Sequence, residues 1–191
     1  MRSLSVFSAV LAAALALAAC GDVSGLLPAS VPNRTDTISV YALTGTPVTA
    51  PSAYWIVSRQ VVRTDQNSAF DFAFDIDSLG RAILLPTGAL RLGQQSGVQL
   101  STLAFDSLRI APTGGYKVDS AVVLTVNSVA VMHSRFVQCS YDYQPIHNYF
   151  AKLHVLEIDT SSAAGGRLIK LEILTDINCG YRGLEPGLPH S

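Results

Sequence analysis

Charge is scarce in this chain: Asp, Glu, Lys and Arg make up 14% of 191 residues, 13 basic against 14 acidic. Neither sign is in excess, so the electrostatic footprint that nucleic acid demands is missing. Motifs that pre-assemble chemistry are missing as well. No Gly-x-Ser-x-Gly elbow presents a serine nucleophile, no glycine-rich loop cradles phosphate or a dinucleotide, and no EF-hand pattern gathers oxygen ligands. The 4 histidines never fall as His-x-His or His-Glu-x-x-His, and the 3 cysteines never as Cys-x-x-Cys, so no short spacing pre-aims two metal ligands. No cofactor, metal or nucleic-acid partner is expected, and no catalytic motif is found.

What is plentiful is apolar. Hydrophobic residues reach 49% of the chain, above the ordinary globular level in part because of the N-terminal run. Arg2 gives that run a positive start, Val6 to Leu17 is an apolar segment, and the small residues Ala18 and Ala19 close it. A retained membrane helix is the competing reading, but Ser3 to Gly21 holds three serines and is largely alanine, a weak spanning sequence. Leu17-Ala18-Ala19-Cys20 resembles the lipobox of bacterial lipoproteins. The resemblance implies a signal peptide over 1–19, a diacylglyceryl group on the Cys20 thiol, cleavage before Cys20 and an acylated new amino group. Two or more acyl chains anchor a protein stably where one does so only marginally. Gly21 stands where aspartate in that class often signals inner-membrane retention, so the resemblance places the protein in the cell envelope, at the outer membrane. Loss of Arg2 with the leader leaves 12 basic against 14 acidic residues, a formal charge of −2.

Residues 20–36 carry Gly25, Pro28 and Pro32 without periodicity and read as a tether. One domain follows over 37–183. Ile38, Val40 and Ala42 alternate as a half-buried strand would, and Thr44-Gly45-Thr46-Pro47 turns the chain. This start is similar to that of carboxypeptidase-regulatory-like domains, non-catalytic β-sandwich modules. Tyr54 to Arg63 reads as one strand. Phe70, Phe72, Phe74 and Ile76 then project one way, and Asp71, Asp75 and Asp77 the other, as a solvated face. Asp77-Ser78-Leu79-Gly80 is turn chemistry, so Arg81 to Leu85 should return as the hairpin partner.

Thr87 to Leu100 reads as a loop or short helix, whereas Leu103 to Ile110, Ala121 to Val126 and Val129 to Val137 are β-rich. Ile146 to Lys152 has the look of a helical turn. Leu153 to Asp159 and Arg167 to Thr175 form the clearest hairpin, with Ile169, Leu171 and Ile173 inward and Lys170 and Glu172 outward. The tail, 184–191, looks loose. An all-β sandwich of about seven to nine strands, immunoglobulin-like or transthyretin-like, is therefore expected, with a small closed barrel as the alternative.

If Cys20 carries lipid, Cys139 and Cys179 remain as an even pair suited to a disulfide in an oxidising compartment. Tyr141, Tyr143, Tyr149, Phe150 and Tyr181 form an aromatic group able to stack on sugars or apolar ligands, and equally able to pack under a loop. The expected function is a lipid-anchored, non-catalytic envelope module that binds a ligand, an envelope protein or a glycan, or supports assembly. The alternative is an envelope hydrolase using His133, His147 and His154 with Asp142, Glu157 and Asp159.

Overall fold

The computed structural model describes residues 28–93, 95–138, 146–161 and 165–189. In chain order the described strands are β1 (Arg34–Tyr41), β2 (Ala53–Trp55), β3 (Gln60–Val62), β4 (Phe72–Ile76), β5 (Ala82–Pro86), β6 (Gly97–Ser101), β7 (Val122–Leu124), β8 (Val129–His133), β9 (Val137–Gln138), β10 (Ile146–His147), β11 (Phe150–Asp159) and β12 (Leu168–Asp176). Five make one antiparallel sheet in the order β1-β12-β11-β8-β6, and five a second in the order β3-β2-β4-β5-β7. A two-stranded ribbon of β9 and β10 completes the set. The two large sheets keep separate edges, so the molecule is a β-sandwich and not a closed barrel.

Alternation explains why the sheets face each other. Val40, Ile169, Leu171, Ile173, Leu153, Val155 and Met132 from the first sheet meet Tyr54, Phe72, Phe74, Ile76, Leu84, Val122 and Leu124 from the second in one buried cluster. Full burial of each such side chain contributes about 1.5–3 kcal/mol relative to exposure. The β11–β12 hairpin is the longest ladder, interrupted by one bulge between Val155 and Glu157. The β4–β5 hairpin turns as its Asp and Gly require: Asp77 Oδ1 accepts from the Leu79 and Arg81 amides, and Gly80 takes φ +74°.

The strand count exceeds seven to nine because apolar runs break where the chain must turn. Tyr54 to Arg63 is not one strand but a tight β2–β3 hairpin, with Arg59 at φ +56°. Arg59 is held there by donating from Nη2 to the Pro32 and Thr175 carbonyls. Val129 to Val137 divides between β8 and β9. Ile146 to Lys152 divides between β10 and the start of β11 and forms no helical turn, and β6 occupies part of the segment read as loop or helix.

Leu103 to Ile110 forms no strand either. Phe105 to Ser107 is a 3-10 turn that lays Phe105 and Leu108 on the outer face of the first sheet, against Val129, Val131, Leu174 and Leu184. Lys152, whose strand position points it to that face, is buried beneath the turn. Its Nζ donates to the carbonyls of Phe105 (2.6 Å) and Leu108 (3.0 Å) and lies 4.4 Å from the Phe105 ring centroid. Burial pushes this ammonium's pKa down.

Both chain ends of the domain are docked. β1 begins at Arg34, ahead of the expected boundary at Thr37, and the preceding backbone is bonded too: Ala29 N–H donates to Tyr181 Oη, and Ser30 and Val31 N–H to Asn178 Oδ1. The tail expected to be loose is not, as far as it is described. Leu184 is fully buried, its amide donates to the Arg109 carbonyl, and Asn33 and Gly187 exchange two backbone hydrogen bonds. Glycine and proline permit the turns by which this segment follows the sheet, Gly187 at φ +95°, and do not leave it unbound.

Candidate functional site

A cleft of about 320 Å³ opens where the β8–β9 link crosses the β2–β3 hairpin. Trp55 and Val57 line it from the hairpin, Asp71 from the entrance to β4, Arg135, Phe136, Val137 and Gln138 from the β8–β9 link and β9, and Tyr149 from the entrance to β11. Local hydrogen bonding fixes these walls. Ser134 N–H donates to the Tyr149 carbonyl, Tyr149 N–H donates back to Ser134 Oγ, and Asn148 Nδ2 donates to the Ser134 carbonyl. Ser134 is thereby riveted to residues 148–149.

Asp71 joins this wall to the other sheet. It is 2% exposed, and its two oxygens accept from different elements: Oδ2 from Ile56 N–H at 2.8 Å and Oδ1 from Arg135 N–H at 3.0 Å. Arg135 Nε lies 3.7 Å from the same Oδ1, close enough for an ion pair but beyond hydrogen-bond reach. Ser96 Oγ donates to the Asp71 carbonyl. Burial raises the carboxyl's pKa, and the two amides and Arg135 pull only partly against it. Desolvation therefore outweighs the pairing. The solvated-face reading thus fails for Asp71, which lies at the seam between sheets, where both sides are covered.

The cleft floor is aromatic. Trp55 and Tyr149 are half-buried while Phe136 is 66% exposed, an unusual position for a phenyl ring. Burial raises the Tyr149 pKa, and the Asp176 carboxylate adds to that rise. The cleft sits at the end of the first sheet where β1 enters, since Phe150 pairs with both His133 and Asp176, and Arg34 with Thr175.

Of the expected aromatic surface, Tyr141 and Tyr143 lie outside the described residues, as do Cys20 and Cys139. Tyr149 lines the cleft. Phe150 does not, because consecutive strand residues point to opposite faces and it packs in the outer cluster with Phe105 and Leu108. Tyr181 is buried, its hydroxyl spent on Ala29 N–H. Those three therefore form no common surface. Cys179 lies just beyond β12.

The histidines do not converge either. His133 and His154 mark opposite ends of the β8–β11 ladder, roughly 13 Å apart at strand rise. His133 Nδ1 faces the Ser134 carbonyl, its ring packs edge-on against Tyr116, and burial lowers its pKa. Gly97 is required beneath it, because a Cβ there would run into the His133 ring and Tyr116. His154 Nδ1 lies 3.5 Å from Glu172 Oε2, and His147 pairs with Val137 in the ribbon. Asp142 lies outside the described residues. Among those that are described, no three His, Cys, Asp or Glu side chains are grouped to hold a metal ion, and no serine hydroxyl bonds a histidine ring.

Sequence reasoning missed Trp55, Asp71, Arg135 and Phe136. The available signal was Arg135 itself, a cation interrupting an apolar β-rich run. No protein-family model and no curated protein matches the chain.

Proposed function

We propose that the protein is a lipid-anchored, non-catalytic module of the bacterial cell envelope that binds a ligand or partner in the cleft between Trp55 and Phe136. The observation that carries this reading is the cleft itself: aromatic side chains and one cation converge on it from both sheets. Small-molecule sites combine apolar surface with placed polar groups, and the cleft presents both. The lipobox-like Leu17-Ala18-Ala19-Cys20 supports the anchor, with Gly21 favouring the outer membrane. Among the described residues no helix is long and apolar enough to cross a membrane.

Mass spectrometry of the N-terminal peptide tests the anchor. The mature chain is expected to begin at acylated Cys20, and a metabolically incorporated fatty-acid probe should label the wild type but not Cys20→Ala. An unmodified Cys20 thiol in protein isolated from membranes would sink the anchor.

The same reading assigns a disulfide to Cys139 and Cys179. It is supported by the cysteine count once Cys20 carries lipid. Closing a loop of about 40 residues stabilises a fold by about 4 kcal/mol on the chain-entropy model. The deacylated protein should gain two hydrogens in mass on reduction, and its urea midpoint should fall. An unchanged mass removes the bridge.

A further inference from the structure

We propose that the cleft takes a ring-bearing organic carboxylate, with the Arg135 guanidinium meeting the carboxylate and Trp55, Phe136 and Tyr149 meeting the ring. The inference rests on the cleft-binding reading above and adds the chemical class. Its ground is the state of Arg135. Only 18% of that side chain is exposed, yet among the described residues the guanidinium donates no hydrogen bond, and Nε is buried without an acceptor. A guanidinium N–H desolvated without an acceptor is costly, and a carboxylate matches the planar guanidinium fork in two parallel bonds.

Asp71 does not fill the role, because its oxygens are taken by the Ile56 and Arg135 amides and Oδ1 stands 3.7 Å from Nε. It limits the ligand instead. A buried carboxylate beside Arg135, the only cation lining the cleft among the described residues, leaves attraction for one negative charge, which favours a carboxylate over a phosphate dianion. The remaining walls fix the rest of the class. About 320 Å³ is the small end of ligand sites, suited to a single ring and its substituents, and aromatic faces receive an aromatic ring or the C–H face of a sugar. Gln138, exposed at the rim, offers both a donor and an acceptor to ring substituents.

The chain carries its own reporter, since Trp55 is its 1 tryptophan and it lines the cleft. Full-length protein in detergent is titrated with benzoate and with glucuronate, which separate an aromatic acid from a sugar acid, and with benzamide and glucose as neutral counterparts. At least one acid should change Trp55 emission saturably while its counterpart gives no response over the same range. Arg135→Gln should weaken that binding about tenfold or more, the scale of a lost charge-assisted hydrogen bond, with Arg135→Lys between. Phe136→Ala, at an exposed position that leaves the fold intact, should weaken it several-fold.

Equal response to a neutral counterpart overturns the carboxylate assignment and leaves the cleft as a binding site. No response to any of the four ligands overturns the assignment together with the cleft reading, while the acylation test of Cys20 is unaffected. Binding of an acid that survives both Phe136→Ala and Arg135→Gln places it elsewhere and overturns the proposal.

Discussion

Asp71→Ala is expected to lower the unfolding free energy by about 3 to 5 kcal/mol, the usual result of removing one member of a buried ion pair. The loss is a large share of a domain's total of roughly 5–15 kcal/mol. Two backbone donors, Ile56 N–H and Arg135 N–H, lose their acceptor, and Arg135 loses its buried counter-charge. Urea unfolding measures the effect, and a loss below about 1 kcal/mol, within the range of ordinary surface changes and single neutral hydrogen bonds, would show that Asp71 does not hold the sheets together.

Asp71→Asn separates charge from hydrogen bonding. Burial raises the wild-type carboxyl above the ordinary aspartate value of 3.8, so the folded state holds its proton at a pH where the unfolded state has released it. The contribution of Asp71 to stability is then greatest at low pH and declines as pH rises from 3.8 through the raised folded value. The Asn variant lacks this decline, and the difference between the two melting-temperature profiles should fall along that acidic window. A difference that runs the other way would mean that the pair with Arg135 outweighs desolvation.

Leu184→Ala is expected to cost about 2 to 5 kcal/mol, the range for a buried leucine truncated in a packed core. The residue lies five positions before the last described one, in a stretch whose glycines and prolines read as unattached. It is nevertheless fully buried with Phe105, Leu108, Ala111 and Leu174 on the outer face of the first sheet. Thermal and urea unfolding decide between the two pictures. A loose tail predicts no change, whereas a docked one predicts a loss as large as that from a truncation between the sheets.

The tail marks where sequence reading loses its hold. Period-two alternation reports a residue's side of its own strand, and where one side is dry the report is faithful. Ile169, Leu171 and Ile173 go inward and Lys170 outward, and the β4–β5 hairpin falls where its Asp-Ser-Leu-Gly turn requires. Alternation cannot report what covers the other side. Lys152 is an outward residue by period and is buried because the Phe105 turn, distant in sequence, folds over it. Asp71 is outward by the same count and is buried because the β8–β9 link crosses there. The break at Arg59 has no local cue, since a left-handed arginine is fixed by bonds to Pro32 and Thr175 from other parts of the chain. Trp55, Arg135 and Phe136 meet through the same long-range crossings, so the cleft was illegible although each of its residues was in view.

The position of that cleft has a mechanical consequence. Arg59 ties Pro32 to the end of β12, Asn178 holds Val31, and Phe150, next to Tyr149, pairs with Asp176. The start of the described chain and the proposed cleft therefore share the rim of one end of the sandwich, so an anchor on Cys20, as proposed, would pull on the same rim that holds the cleft.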